Sequence, residues 1–309
     1  MMSNRALIVR DLSKKYGDLF ALSHANFEVP LGTICGFVGP NGSGKTTTIR
    51  MLLALISPSG GSGEVLDIAI DEPEKYLPYI GAMIEGPAFY PALSGSQNLK
   101  VLAKIGGFSL DRIPELLELV GLGERGDSKY KTYSLGMKQR LGIAASLLPN
   151  PKVLILDEPT NGLDPAGIQE VRDLLRKLAD SGITVFVSSH LLSELEMISE
   201  YLVVLREGRV IFSGRTKELL AKQQPRIRVK SDHPGGIQIA REIAEKSGHL
   251  CEVFGDELLV TAPPEYGSEL NRHSFSRGVT LTEISPIRPS LEETFFEMTG
   301  TEMIHEAGR

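Results

Sequence analysis

The chain has 309 residues, 41% of them apolar and 23% charged, and carries a formal net charge of -6. That length suits one large domain and a smaller one, and that composition supports a packed core and excludes a disordered chain. The net acidity argues against a partner gripped by its phosphate backbone, so no nucleic-acid partner is expected, although a local basic patch is compatible with it.

In chain order, the first strand-like runs are "ALIVRDL" (Ala6 to Leu12) and "HANFEVP" (His24 to Pro30). "TICGFVG" (Thr33 to Gly39) is an apolar, β-rich run that meets a glycine-rich turn. "KTTTIRMLLAL" then reads as a helix buried on most sides. "GGSGEV" (Gly60 to Val65) is expected to turn, and "IPELLELVGL" (Ile113 to Leu122) is a short amphipathic helix. In "GIQEVRDLLRKLADSG", Ile168, Val171, Leu174, Leu175 and Leu178 fall on one helical face, with Gly182 as the stop. "TVFVSSH" (Thr184 to His190) is another apolar strand, and "YLVVLREGRVIFSG" is a hairpin around Glu207 and Gly208. Alternating strands and helices imply a mainly parallel sheet covered by helices, with the first strands forming an antiparallel side sheet.

The pattern changes near "KQQPRIR" (Lys222 to Arg228), which places a large domain over 1–222 and a small one over 223–309. The latter reads as a strand (226–230), a helix (236–246), strands 250–254 and 257–261 hinged at Gly255-Asp256, a helix (264–273), a strand (280–285) and a last helix (290–298). This βαββαβ order is the ferredoxin-like pattern. Its histidines, His233, His249 and His273, are too scattered for a metal site. Cys35 and Cys251 fit two buried or part-buried thiols better than a disulfide framework or metal cluster. The N-terminus has no apolar stretch followed by a small-residue cleavage site, and no segment reaches the roughly 20 apolar residues of a spanning helix. A cytoplasmic chain is expected, with any membrane span supplied by another chain.

Two motifs carry chemistry. "GPNGSGKTT" (Gly39, Pro40, Asn41, Gly42, Ser43, Gly44, Lys45, Thr46, Thr47) fits G-x-x-x-x-G-K-[ST] between an apolar strand and an apolar helix. The glycines let backbone N–H groups turn toward a phosphate, and the helix N-terminus adds partial positive charge. Lys45 is expected on the β/γ-phosphates of ATP and Thr46 on Mg²⁺. The second motif, "KVLILDEPTNGLDP" (Lys152 to Pro165), runs a buried strand into Asp157 and Glu158. Two carboxylates there are costly unless positive charge is near. Asp157 is expected to hold Mg²⁺, directly or through water. Adjacent strand residues point to opposite sides, so Glu158 is expected to take a different role, orienting or deprotonating the attacking water.

Together with "YSLGMKQR" (Tyr133 to Arg140), "NGLDP" and "VSSH", these motifs make the chain resemble the nucleotide-binding subunit of an ABC transporter over Ala6 to Leu220. The resemblance implies an α/β P-loop ATPase with a helical subdomain. It makes "YSLGMKQR" the signature, "NGLDP" the D-loop, His190 the γ-phosphate sensor and Tyr16 the adenine-stacking aromatic. Ser134-Leu135-Gly136-Met137-Lys138 stands where the family has L-S-G-G-Q, and Ser134 and Gly136 are the pair that grips a γ-phosphate in trans. Glu85 stands where the family has a Q-loop glutamine and is implied as a metal or water ligand. Both variants resemble the branch linked to bacitracin resistance and lantibiotic immunity.

The resemblance further implies two ATP molecules sandwiched between antiparallel copies, a homodimer or a paired ATPase subunit, and a power stroke passed to an integral-membrane permease. The chain then sits peripherally on the inner face of the cell membrane. The loop after Glu85 is a candidate lever, with Phe89, Tyr90 and Leu93 either exposed for that contact or packed locally. Export of a peptide antibiotic, drug or similar amphiphile is the expected task; a soluble ABC ATPase of DNA repair or ribosome work is the alternative. The C-terminal domain is regulatory, dimer-stabilising or a structural appendage.

Overall fold

The computed structural model describes residues 4–84, 86, 88–221, 223–287 and 290–299. By its internal contacts the chain divides into two compact units after Thr216. The first runs β1 (Arg5–Tyr16), β2 (Leu19–Pro30), β3 (Ile34–Val38), α1 (Lys45–Leu52), β4 (Gly60–Val65), β5 (Ile68–Ala69), α2 (Pro73–Tyr76), β6 (Ile80–Met83), α3 (Gly95–Gly106), α4 (Ile113–Leu119), α5 (Leu135–Ser146), β7 (Val153–Asp157), α6 (Pro165–Asp180), β8 (Thr184–Ser189), α7 (Leu192–Glu196), β9 (Tyr201–Arg206) and β10 (Arg209–Arg215).

Its central sheet has the order β10-β9-β3-β8-β7-β6. The strands from β9 to β6 are parallel and β10 is antiparallel to β9. β3, β7 and β8 are buried along their whole length, which is why they read as unbroken apolar runs. A second, antiparallel sheet has the order β2-β1-β4-β5. An aromatic cluster joins the two layers. Phe27 of β2 lies 5.8 Å from Phe37 of β3, and Phe37 lies 4.8 Å from Phe186 of β8, centroid to centroid. Such ring contacts stabilise beyond the area they bury.

Two expectations need correction. Gly60–Val65 is not a turn but strand β4, paired with β1. A Cβ on Gly61 would lie 2.1 Å from the Asp11 carbonyl oxygen, and Gly61 has φ +78, so glycine is what lets the two backbones approach. The first two strands are also longer than the apolar alternation suggests. Asp11 (φ +53) and His24 (φ +50) are left-handed, and the β1–β2 register shifts around them. These bulges break the period-two pattern while the ladder continues beyond them.

The second unit holds α8 (Thr216–Leu220), β11 (Arg226–Ser231), α9 (Pro234–Lys246), β12 (Leu250–Phe254), β13 (Glu257–Thr261), α10 (Tyr266–Ser276), β14 (Leu281–Ile287) and α11 (Leu291–Thr299), taking α8 from its first turn. Its antiparallel sheet has the order β12-β13-β11-β14. Ile227, Val229, Leu258 and Val260 alternate inward and pack with Ile237, Ala240, Ala244 and Leu270 of α9 and α10. Among the described residues, no helix is long and apolar enough to cross a membrane.

Candidate active site

β3 delivers the chain into the loop 39–44, and α1 begins at Lys45. Gly44, at φ +104, forms the N-cap, and a Cβ there would sit 2.4 Å from the Ala21 carbonyl oxygen. That close approach requires glycine. The Lys45 side chain is only 6% exposed. Its ammonium donates to the Gly39 carbonyl (2.6 Å) and the Pro40 carbonyl (3.3 Å), and lies 3.3 Å from Glu158 Oε1. A buried cation is thereby satisfied on three sides.

β7 ends at Asp157, which is buried. Thr46 Oγ1 donates to Asp157 Oδ2 at 2.8 Å, and Ser188 Oγ donates to Asp157 Oδ1. Glu158 follows in a left-handed conformation (φ +50), rare for a residue with a side chain. Ser188 holds it there, because the Glu158 N–H donates to Ser188 Oγ (3.0 Å) and Ser188 O (3.2 Å). Its carboxylate is divided between two partners, Lys45 at Oε1 and His190 Nδ1 at Oε2 (2.7 Å). The two acids therefore point into different surroundings, one toward a threonine hydroxyl and the other toward a lysine and a histidine.

Of these groups, Lys45, Thr46, Glu158 and His190 open on a cavity of about 330 Å³, lined also by Ala21, Asn41, Gly42, Gly44, Thr47 and Asn161. Ser43 is buried beside it in sequence, and its hydroxyl has no partner among the described residues. Thr46 and Asp157 offer hard oxygen donors to Mg²⁺. Among the described residues no cluster of three or more His, Cys, Asp or Glu forms a metal cage. Two protein donors suit an ion that keeps its waters and shares substrate phosphates.

The remaining sequence candidates lie elsewhere. Tyr16, half exposed at the end of β1, has the Lys14 ammonium 5.1 Å from its ring centre and does not line the cavity. Ser134 caps α5, accepting from the Met137 N–H at 3.2 Å, and Gly136 lies in the first turn. Neither lines the cavity of its own chain. Leu135 packs toward the D-loop, where its side chain would meet a Cβ on Gly162 at 3.1 Å. Glu85 lies outside the described residues. The aromatics of the next loop divide. Phe89 packs edge-on against Tyr130 at 5.2 Å and Leu93 is part-buried, while Tyr90 is 62% exposed.

Sequence reasoning missed Ser188 and Asn161. In the sequence, Asn161 stands out only as part of "NGLDP". The first serine of "VSSH" carried a signal too, being a polar residue inside an apolar strand.

A family profile described as ABC transporter matches residues 22–161. The chain is 37% identical over 305 residues to the bacitracin transport ATP-binding protein BcrA of Enterococcus faecalis, covering 97% of this chain and 98% of that one. The chain belongs to the ABC transporter family of ATP-binding subunits. The lantibiotic transport ATP-binding protein SrtF of Streptococcus pyogenes is 42% identical over 205 residues, 66% of this chain and 89% of that protein. A dimeric ATP-binding cassette solved in a post-hydrolysis state with ADP and Pi is similar in structure, with a TM-score of 0.60 and 26% identity over 68% of this chain and 98% of that one. This ABC protein is accordingly an ATP-hydrolysing transporter subunit with the ABC ATPase fold, and the soluble alternative is set aside.

Proposed function

We propose that this ABC ATPase binds Mg²⁺-ATP at Gly39 to Thr47 and hydrolyses it with water prepared by Glu158. The division of the Glu158 carboxylate between Lys45 and His190, beside the Thr46–Asp157 pair, carries this reading. Triphosphate oxygens are the natural competitor for the Lys45 ammonium. Once they take it, Glu158 keeps one basic oxygen free to accept a proton from water. His190 stays hydrogen-bonded to the other oxygen and fixes its direction. When bound, Mg²⁺ would supply positive charge to the phosphate oxygens. Asp157 and Thr46 would hold it, and Glu85 would be a further ligand. Asn41, Gly42, Ser43, Gly44 and Thr47 cradle the phosphates, and Tyr16 stacks on adenine.

Ser134 and Gly136 act on the nucleotide of a second copy, since they stand away from the cavity of their own chain. Closure of two copies around ATP then drives an integral-membrane permease from the inner face of the membrane. The relatives' names support export of a peptide antibiotic or similar amphiphile as the task. The segment 223–309 is an accessory domain of ferredoxin-like order.

Glu158→Gln tests the reading. Nucleotide affinity stays within about twofold of wild type while kcat falls by about a thousandfold or more, within the range of a lost general base and its positioning. ATP then accumulates on a closed dimer, detected by gel filtration. Turnover at the wild-type rate overturns the assignment.

A further inference from the structure

Glu194 is a buried carboxylate that the hydrolytic scheme does not use. It lies on α7, four residues after His190, and is 8% exposed. Its Oε2 accepts from the Thr160 hydroxyl at 2.5 Å, and its Oε1 is buried with no partner. Among the described residues it forms no ion pair. Leu192 and Leu195 of the same helix are buried beside it in sequence. An apolar residue would fill this place at lower cost, because a buried carboxylate with half its acceptors idle is destabilising. What the acid provides is one short, directional bond to a specific partner.

That partner lies on the segment that carries Glu158. Thr160 is two residues beyond Glu158, and its carbonyl accepts from the Leu163 N–H at 3.1 Å, closing the turn that presents Asn161 to the cavity. The segments 158–164 and 190–196 are therefore joined twice. The Glu158–His190 contact is part-exposed, with side chains 22% and 33% accessible, and faces the cavity. The Thr160–Glu194 bond is buried and faces no substrate. The first link borders the nucleotide cavity, and the second braces the same two segments away from it.

We propose that Thr160 and Glu194 form a positioning pair that locks the D-loop to the switch-histidine segment and keeps Glu158 and His190 in register during hydrolysis. The proposal rests on the roles given above to Glu158 and His190. Losing the bond lets the two segments slide, which misplaces the base without touching the nucleotide cradle.

The test measures kcat and the dissociation constant for a fluorescent non-hydrolysable ATP analogue in the purified whole chain. Variants are Glu194→Ala, Thr160→Val, the double variant and Glu194→Gln. Each of the first two lowers kcat by about ten- to a hundredfold while the dissociation constant stays within about twofold. The double variant is no slower than the slower single one, because both remove one interaction. Glu194→Gln, whose carbonyl still accepts from Thr160, retains kcat within about threefold of wild type. Should Glu194→Ala fail to fold, the near-isosteric Thr160→Val carries the comparison alone. Wild-type kcat in Thr160→Val, or single losses that multiply in the double variant, overturns the pair. If Glu158→Gln still turns over ATP at the wild-type rate, the underlying reading falls instead, whatever Glu194→Ala does.

Discussion

Ser188 serves both acids of the site. Its hydroxyl donates to Asp157 and accepts from the Glu158 N–H. Left-handed backbone at a glutamate is strained, and such strain persists only where the surroundings over-determine it. Ser188→Ala removes the donor to Asp157 and one of the two acceptors at Glu158. The expected result is a loss of about 2 kcal/mol in stability, since a hydrogen bond to a charged group is lost in a buried place. A fall of about tenfold in kcat accompanies it, through the misplaced base. Thermal denaturation and steady-state ATP hydrolysis measure the two. Ser189→Ala is the control. Among the described residues its hydroxyl accepts only the Leu191 N–H, at 2.9 Å, and its removal is expected to leave kcat within about threefold. The reason Ser188 was illegible is physical. Lys45 and Glu158 announce themselves by local spacing, but Ser188 acts through the cross-strand pairing of Asp157 with residue 188 of β8. That register exists only once the sheet forms.

At the scale of elements, α3 shows how a local signal can be present and still be passed over. Ser94 accepts from the Gln97 N–H (3.1 Å) and Gln97 accepts from the Ser94 N–H (2.9 Å), the reciprocal capping of an S-x-x-Q sequence. The helix that follows carries Asn98, which is 1% exposed. Its amide accepts from the Tyr90 N–H (2.8 Å) and donates to the carbonyls of Tyr90 (3.1 Å) and Ser94 (2.9 Å). A buried side chain thus stands in for a strand partner and holds the loop that exposes Tyr90. Asn98→Ala strands the Tyr90 N–H, while the Tyr90 carbonyl keeps the Leu93 N–H at 3.2 Å, and costs about 1 kcal/mol. Hydrogen exchange at the Tyr90 amide then accelerates by at least about tenfold while ATP affinity stays unchanged, because the cavity is untouched. Unchanged exchange at Tyr90 would show that the loop is held by other contacts. Here too the elements divide by cause. The apolar strands and the one-faced helix α6 were readable from periodicity. The bulged ends of β1 and β2 and the glycine-rich β4 were not, since there the backbone, not the side-chain pattern, carries the pairing.

At the scale of the molecule, burial ties the fold to pH. Cys35 sits in the middle of the central sheet, and burial pushes its thiol far above the ordinary 9.0. Tyr76, fully buried with its hydroxyl donating to the Leu52 carbonyl at 3.0 Å, is pushed up to about 12 by burial first and by Glu74 second. Burial likewise raises Tyr130 and Tyr133. The sign follows from proton counting. Below about pH 8 these groups are protonated in both folded and unfolded chains, so they contribute no pH dependence. Above it the unfolded chain releases protons that the native chain retains, so stability falls as pH rises toward the folded values. Each such group steepens the fall by up to about 1.4 kcal/mol per pH unit. The surplus of acidic over basic residues adds repulsion in the same direction. The thermal midpoint, measured with reductant present, is therefore expected to be flat from pH 7 to 8 and lower by pH 10.5. Cys35→Ala lowers the midpoint at pH 7 but narrows the gap between the two conditions, because the group that distinguishes them is gone. A gap as wide in Cys35→Ala as in the wild type would assign the alkaline loss to the tyrosines and the surface charge instead.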